Sequence, residues 1–481
     1  MNMHGRLIAV VAGLGVGGFA AGAFGEGAAA PGSGNPRASA EQAEVRPDAG
    51  TWRDEWRARR DAALAADPNL PHDPTSLLVK FTDQATAEDI GLLLKTIGGD
   101  TIETWPGFLP GVHHLTTSMR VEDAIEVLEK IGGGMGAVEY AEPDYIYKLG
   151  ATPNDTFYSL LWGMNNTGQT VGGDPGVANH DIDANLAWDL TTGSSTFVVG
   201  VADSGIRRTH QDLTANIWSN PGEVAGDRVD NDGNGRVDDT WGWDFWNNDN
   251  NPTDDNGHGS HTSGTIGARG NNGLGVTGVA WTVKLAGLKI GSAGGSVSSS
   301  AAASAINYCV GKGIKVSNHS WGGSGGSTTL SNAISAARTA GHLLVCAAGN
   351  GGSDFVGDNN DSFPQYPASY THDNIISVMA IDNDGARPTF SNYGATSVDL
   401  AAPGVTIASC YRTNDSSYVY MDGTSMATPH VAGVAALVWS RYPAWTYSQV
   451  RSRILSTTRA NANLAGRCAT AGVVNAFNAV Q

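Results

Sequence analysis

The sequence predicts an α/β fold: a doubly wound, mostly parallel sheet with helices on both faces, preceded by a small α+β ferredoxin-like domain. Three observations predict it. Beyond Pro153, short apolar runs alternate with helix-length stretches; ahead of them stands a separate β-α-β-β-α-β order; and residues 426–439 are small or apolar on nearly every side. A helix of that last composition lies inside a core rather than on it.

Residues 1–30 begin with His4 and Arg6, continue through an apolar run from Leu7 to Ala21 and end in small residues. That is the layout of an export signal, so a secreted protein is expected. No later apolar run reaches the roughly 18 residues that a membrane span needs. Residues 31–75 read as a linker and solvated spacer, with little to bury.

Residues 76–149 carry the small domain. Strand-like 77–81 is followed by helical periodicity over Ala87–Ile97, which stops at Gly98 and Gly99. Strands at Thr101–Trp105 and 112–115, a helix at 121–131 and a closing strand at 137–147 complete a split-βαβ order.

The large domain, 150–481, offers buried strands at 197–202, 283–290, 314–318, 343–348 and 375–380. Helices are expected at 298–311, 330–340, 425–440 and 448–457. Such alternation implies parallel strands covered on both faces, and sites in these sheets lie beyond the carboxyl ends of the strands. Asp203, Ser320 and Asn350 stand just past three such ends.

Charged residues make up 16% of the chain and the net charge is −18, which argues against a nucleic-acid partner. Cys309, Cys346, Cys410 and Cys468 could pair in three ways, and their spacing does not choose. No Cys-x-x-Cys pattern suggests zinc.

Ser425 stands where the chain enters the all-apolar helix, so free N–H groups and the positive end of the helix dipole would stabilise an anion beside it. Pro429, one turn on, leaves the Ser425 carbonyl without its usual intrahelical partner. An N-cap serine would account for Ser425 equally well by itself. A serine nucleophile, however, needs a base, and the base needs an acid to orient it. Asp203 in Val-Ala-Asp-Ser-Gly is the acid; His258 and His261, one helical turn apart in Asn-Gly-His-Gly-Ser-His-Thr-Ser-Gly-Thr, are equal candidates for the base.

These two stretches, with Gly-Thr-Ser-Met-Ala-Thr-Pro-His-Val-Ala-Gly around Ser425, resemble the three signature blocks of the subtilisin-like serine proteases, over roughly 153–481. Ser260 stands where that family usually has threonine. The resemblance implies an endopeptidase acting on protein or peptide substrates through an acyl-enzyme, with Asp203, His258 and Ser425 as triad and His261 structural. Asn350, in Ala-Ala-Gly-Asn, would donate to the oxyanion. Ser320, Trp321 and Gly322 would pair with extended substrate, with Ala348 and Gly349 in the opposite wall of the first specificity pocket and Gln365 at its base. No acidic residue is evident there, so a neutral P1 side chain is expected. Residues 76–149 resemble the inhibitor propeptides of the family, implying a monomeric enzyme made as a self-processed precursor, cut near 147–151 and held by its own propeptide.

Calcium is expected in two places. Asp230, Asp232, Asn234 and Arg236, in Asp-Asn-Asp-Gly-Asn-Gly-Arg-Val-Asp-Asp, match the first half of an EF-hand loop, with Asp238 or Asp239 replacing the absent closing glutamate. By resemblance, a second site would use Asn272, the carbonyls of Gly270, Leu274 and Val276, Asp212 and Asp155. The competing reading is a catalytically silent, calcium-dependent binding protein on the same fold. It would have lost one of Asp203, His258, Ser425 or Asn350, and all four are present.

Overall fold

In the computed structural model, which describes residues 6–7, 72–107, 109–145 and 151–481, the chain divides into two units, one within 15–149 and the other comprising residues 6–7 and 151–481 among the described ones. Nearly all of the export signal and the spacer, and most of the expected cut near 147–151, lie outside the described residues.

The smaller unit is built from β1 (His72–Phe81), α1 (Ala87–Ile97), β2 (Thr101–Trp105), β3 (Leu109–Thr116), α2 (Val121–Val127) and β4 (Val138–Tyr145). Helix α1 starts at a capping box: the Thr86 hydroxyl accepts from the Asp89 N–H at 3.1 Å, and the Asp89 carboxylate accepts from the Thr86 N–H at 2.9 Å. The four strands form an antiparallel sheet in the order β2-β3-β1-β4. Leu77, Val79 and Phe81 alternate into one core with Leu93 and Ile97 of α1 and Val121 and Ala124 of α2. The second helix is shorter than its periodicity suggests, passing into a π-turn at Leu128–Gly132.

The larger unit is organised by a nine-stranded sheet. Its strands are β5 (Gly193–Asp203), β6 (Gly242–Asp244), β7 (Thr282–Lys289), β8 (Val316–His319), β9 (Leu343–Ala347), β10 (Ile375–Ile381), β11 (Leu400–Pro403), β14 (Arg459–Ala460) and β15 (Gly472–Val473). The order is β14-β15-β11-β10-β9-β8-β5-β7-β6, parallel throughout except for β14 against β15. Helices α3 (His258–Gly267), α4 (Ser299–Gly311), α5 (Thr328–Thr339), α6 (Thr424–Arg441) and α7 (Tyr447–Ser456) cover it, and a hairpin of β12 (Ile407–Tyr411) and β13 (Ser417–Met421) packs on α3.

Alternation along β5 divides the core. Val199 and Val201 join the cluster around α6, while Ala202 joins the cluster around α4 and α5. Thr424 through Trp439 of α6 are buried without a break, as expected for a helix lying across the middle of a sheet. From β5 the chain runs to β7 on one side, then returns to β8 on the other. Loops leaving β5 and β8 therefore diverge, opening a crevice at a topological switch point.

Candidate active site

Asp203 ends β5, and its Oδ1 lies 2.7 Å from Nδ1 of His258, the first residue of α3. The main-chain N–H of Ser204 donates to the same oxygen at 2.8 Å, and the Thr262 hydroxyl donates to Oδ2 at 3.2 Å. The carboxylate is thus oriented on both sides. The turn entering α3 is held by Asp254, which accepts from the hydroxyls of Ser204 at 2.8 Å and Ser260 at 2.6 Å and from the N–H groups of Gly257 at 2.8 Å and Ser260 at 2.9 Å. Ser260 needs only a hydroxyl for this, so its replacement of threonine leaves the network complete. Gly257 has φ 111°, and a Cβ there would meet the Tyr411 ring at 2.3 Å, which explains a glycine at the head of the helix.

The two histidines separate clearly. His261 is fully buried and its Nε2 lies 2.9 Å from the carbonyl of Ile407 and 3.2 Å from that of Val419. Burial, reinforced by the neighbouring His258, pushes its pKa down to about 3, so it is neutral and committed to the core. Burial also pulls the His258 pKa down, but the charge and hydrogen bond of Asp203 outweigh this and leave it above the ordinary histidine value. Nε2 of His258 has no hydrogen-bond partner among the described residues.

Ser425 lies in the first turn of α6, behind Gly423, whose φ of 151° admits the sharp entry. Its Oγ donates to the carbonyl of Ser320 at 3.0 Å, and the Ser320 hydroxyl donates back to the Ser425 carbonyl at 2.8 Å. That carbonyl is the one deprived of an N–H by Pro429, so a side chain from the end of β8 satisfies it. Asn350 follows β9. Its Oδ1 accepts from the N–H of Thr424 at 2.9 Å and the Thr424 hydroxyl at 2.8 Å, which turns Nδ2 toward Gly423, whose Cβ, if it had one, would lie 3.3 Å away.

Asp203, His258, Asn350 and Ser425 share one cleft of about 620 Å³, with Ser320, Trp321, Gly322, Gly349 and Gln365 also in its lining. Ala348 is not among the lining residues. It is fully buried, its carbonyl accepting from Asn360 Nδ2 at 2.8 Å, and Ala347 and Gly349 form that wall. Asn392, buried and unremarked in the sequence, braces the turn: its Oδ1 accepts from Gly351 N–H at 2.7 Å and Asp358 N–H at 2.9 Å, and its Nδ2 donates to Asn360 at 2.9 Å.

In the acidic loop, carboxylate oxygens of Asp230, Asp232 and Glu223 lie within 4.8 Å of one another. Glu223, upstream of the loop, escaped a reading that sought its closing carboxylate downstream. Asp238 turns elsewhere, accepting from the N–H groups of Gly226 at 2.8 Å and Arg228 at 3.1 Å. Asp239 accepts from Asn220 at 2.6 Å and Asn234 at 2.8 Å, and the Arg236 guanidinium lies 5.0 Å from the Phe245 ring centre. In the second group, Asp155 accepts from the N–H of Asn271 at 2.7 Å, while its other oxygen is buried without a partner. Asp212 accepts from Asn272 Nδ2 at 3.0 Å, from the N–H of Val276 at 2.9 Å and from the Tyr418 hydroxyl at 2.7 Å. Gly270 and Leu274 belong to the same 270–276 loop. The four cysteines are free and buried.

The profile of the Subtilase family matches residues 194–476, and that of the Fervidolysin N-terminal prodomain matches residues 59–144. The chain is 33% identical over 368 residues to the thermophilic serine proteinase of Bacillus sp. (strain AK1), covering 76% of this chain and 78% of that one. It is 36% identical over 330 residues to thermitase of Thermoactinomyces vulgaris, covering 69% of this chain and 99% of the relative. Among solved structures, a protease from Pseudoalteromonas arctica PAMC 21717 aligns with TM-score 0.53 at 33% identity, over 69% of this chain and 99% of that one. The chain belongs to the subtilase family: it is a serine endopeptidase, with a prodomain-like region ahead of its catalytic domain.

Proposed function

We propose that Asp203, His258 and Ser425 are the catalytic triad of an exported, self-processed endopeptidase, with Asn350 as the side-chain donor to the oxyanion. The observation that carries this reading is the His258 ring, tied at one nitrogen to Asp203 and free at the other, in the same cleft as a serine heading a buried helix.

The chemistry follows from those positions. Ser425 rotates from the Ser320 carbonyl toward Nε2 of His258, which takes its proton as Oγ attacks the scissile carbonyl carbon. The carbonyl electron pair moves onto oxygen, where Asn350 Nδ2 and the Ser425 N–H receive it. Collapse expels the amine, which takes the proton back from His258 and leaves an ester on Ser425. Water, deprotonated by His258, then attacks the ester, releasing the acid and restoring the hydroxyl. Asp203 supports the imidazolium throughout.

Among the described residues, Asp203 and His258 are the only charged or histidine side chains in the lining, which favours a neutral P1 residue. The residues at Asp155 fit a divalent cation: burial, together with the charge of Asp212, disfavours the Asp155 carboxylate, and one of its oxygens lacks a partner. Calcium there would be held by Asp155, Asp212, Asn272 and main-chain carbonyls of the 270–276 loop, and would neutralise those carboxylates. The Glu223, Asp230 and Asp232 cluster is the second calcium candidate. The prodomain-like region would act as intramolecular inhibitor until it is cut off near 147–151.

An alkyl fluorophosphonate should label the mature enzyme at Ser425. The Ser425→Ala chain should resist labelling and persist as uncut precursor; precursor processed at the normal rate in that variant would overturn the assignment.

A further inference from the structure

Ser320 touches Ser425 twice, and the two contacts run in opposite directions. Its hydroxyl supplies the donor that Pro429 removed from the Ser425 carbonyl, and its own carbonyl accepts the Ser425 hydroxyl. The nucleophile therefore rests on a main-chain acceptor, while the buried Nε2 of His258 has no partner.

That acceptor faces the place where a substrate chain would lie. Three residues on, Gly323 exchanges both main-chain bonds with Tyr366, N–H to carbonyl at 3.0 Å and carbonyl from N–H at 2.7 Å. Backbone groups along an extended chain point to alternate sides. Gly323 is spent on Tyr366; Ser320 and Gly322 line the cleft, and alternation along an extended run would turn their main-chain groups away from Tyr366 and toward it. An extended peptide pairing with this edge places a main-chain N–H against the Ser320 carbonyl, the oxygen that holds the Ser425 hydroxyl.

We propose that Ser320 is a positioning residue that couples peptide binding to release of the nucleophile. Its hydroxyl fixes the first turn of α6 at the Ser425 carbonyl, and its carbonyl restrains the Ser425 hydroxyl until a substrate main-chain N–H takes that oxygen over. The displaced hydroxyl is then left with a shared acceptor on one side and the unshared Nε2 of His258 on the other. The proton moves to nitrogen only in the attack that follows. This inference rests on Ser425 being the nucleophile.

The substrate side tests it with the unaltered mature enzyme. Two peptide anilides are compared that differ only in a methyl group on the P1 nitrogen, which removes the N–H. Release by displacement predicts that methylation lowers kcat by about tenfold or more, beyond any rise in KM, because bound substrate no longer frees the hydroxyl. A rise in KM with kcat unchanged overturns the proposal, since the N–H then contributes binding alone. On the protein side, Ser320→Ala should lower kcat by about tenfold with KM within about twofold, and Ser320→Thr, which keeps the hydroxyl, should restore most of it. A Thr variant no better than Ala also overturns the proposal, and if Ser320→Ala does not fold, the methylated substrate decides. Failure of the triad reading looks different: the unaltered enzyme would not take up a small alkyl fluorophosphonate at Ser425.

Discussion

Asn350 is aimed by Thr424: its Oδ1 accepts both the main-chain N–H and the hydroxyl of that residue, at 2.9 and 2.8 Å, which spends the acceptor end of the amide and leaves the donor end for the cleft. Asn350→Leu should therefore lower kcat by about 10²–10³ with KM little changed, a magnitude taken from subtilisin, itself a relative of this chain. Thr424→Val keeps the N–H and loses the hydroxyl, so a smaller fall of about tenfold is expected. Steady-state kinetics on a peptide anilide reads both; an Asn350→Leu enzyme with unaltered kcat would remove Asn350 from the mechanism.

The pH profile should report the pair Asp203 and His258. In the proposed mechanism catalysis requires neutral His258, so kcat/KM should fall on the acid side as that group takes a proton. In the free enzyme burial pulls its pKa down and Asp203 more than compensates, which sets the acid limb above the ordinary histidine value. Asp203→Asn removes the compensating charge. The limb should move to lower pH while the rate at the plateau falls by about 10⁴. A limb that stays in place in this variant would mean that another group sets it.

Asn392 is fully buried and accepts from the N–H of Gly351, next to Asn350, and from the N–H of Asp358. Asn392→Leu fills similar space but strands both donors, at a cost of about 1–3 kcal/mol each. Thermal unfolding should show the lower stability, and kcat should fall with it, because Asn350, the proposed oxyanion donor, sits beside Gly351 on the loosened turn. Loss of stability without any loss of kcat would mean that the turn holds its geometry unaided.

Chelation should destabilise the enzyme through Asp155. A ligand at about one hundred times its dissociation constant contributes about 2.7 kcal/mol to folding. Excess EDTA should lower Tm by a corresponding amount, and Asp155→Ala should both lower Tm and blunt the response to EDTA. Glu223→Gln tests the other cluster in the same way. Equal EDTA sensitivity in both variants and the parent would refute calcium at these positions.

Acid should unfold the catalytic domain through its buried histidines. Burial pushes His261 and His319 down to about 3 and His342 and His430 down to about 4. Their folded pKa values lie below the unfolded one, so between about 6.5 and 4 the unfolded chain binds protons that the folded chain refuses. Each histidine then removes stability as pH falls, by up to about 1.4 kcal/mol per pH unit. Denaturant melts across that range check the slope, and a His342→Asn variant that folds should show a shallower one.

The sequence by itself determined the elements whose periodicity is local. Helix α1 was legible to the residue from its helical periodicity and the two glycines that end it, and the strands ending at Asp203, His319 and Ala347 were legible within a residue or two of their ends. It also supplied the candidate chemistry, since an acid, a base and a nucleophile stood in three separate motifs. Tertiary structure alone decided what depends on contacts between distant segments. It gave the physical basis for a division that the residues alone left even and the resemblance had already drawn, with His258 facing the cleft and His261 the carbonyls of Ile407 and Val419. It moved Ala348 behind the pocket wall, brought Glu223 beside Asp230 and Asp232, and left four cysteines buried and unpaired. The reason is physical: a helix or strand is specified by neighbours a few residues apart, whereas the direction in which a buried polar group turns is fixed by whichever remote donor or acceptor packing delivers to it.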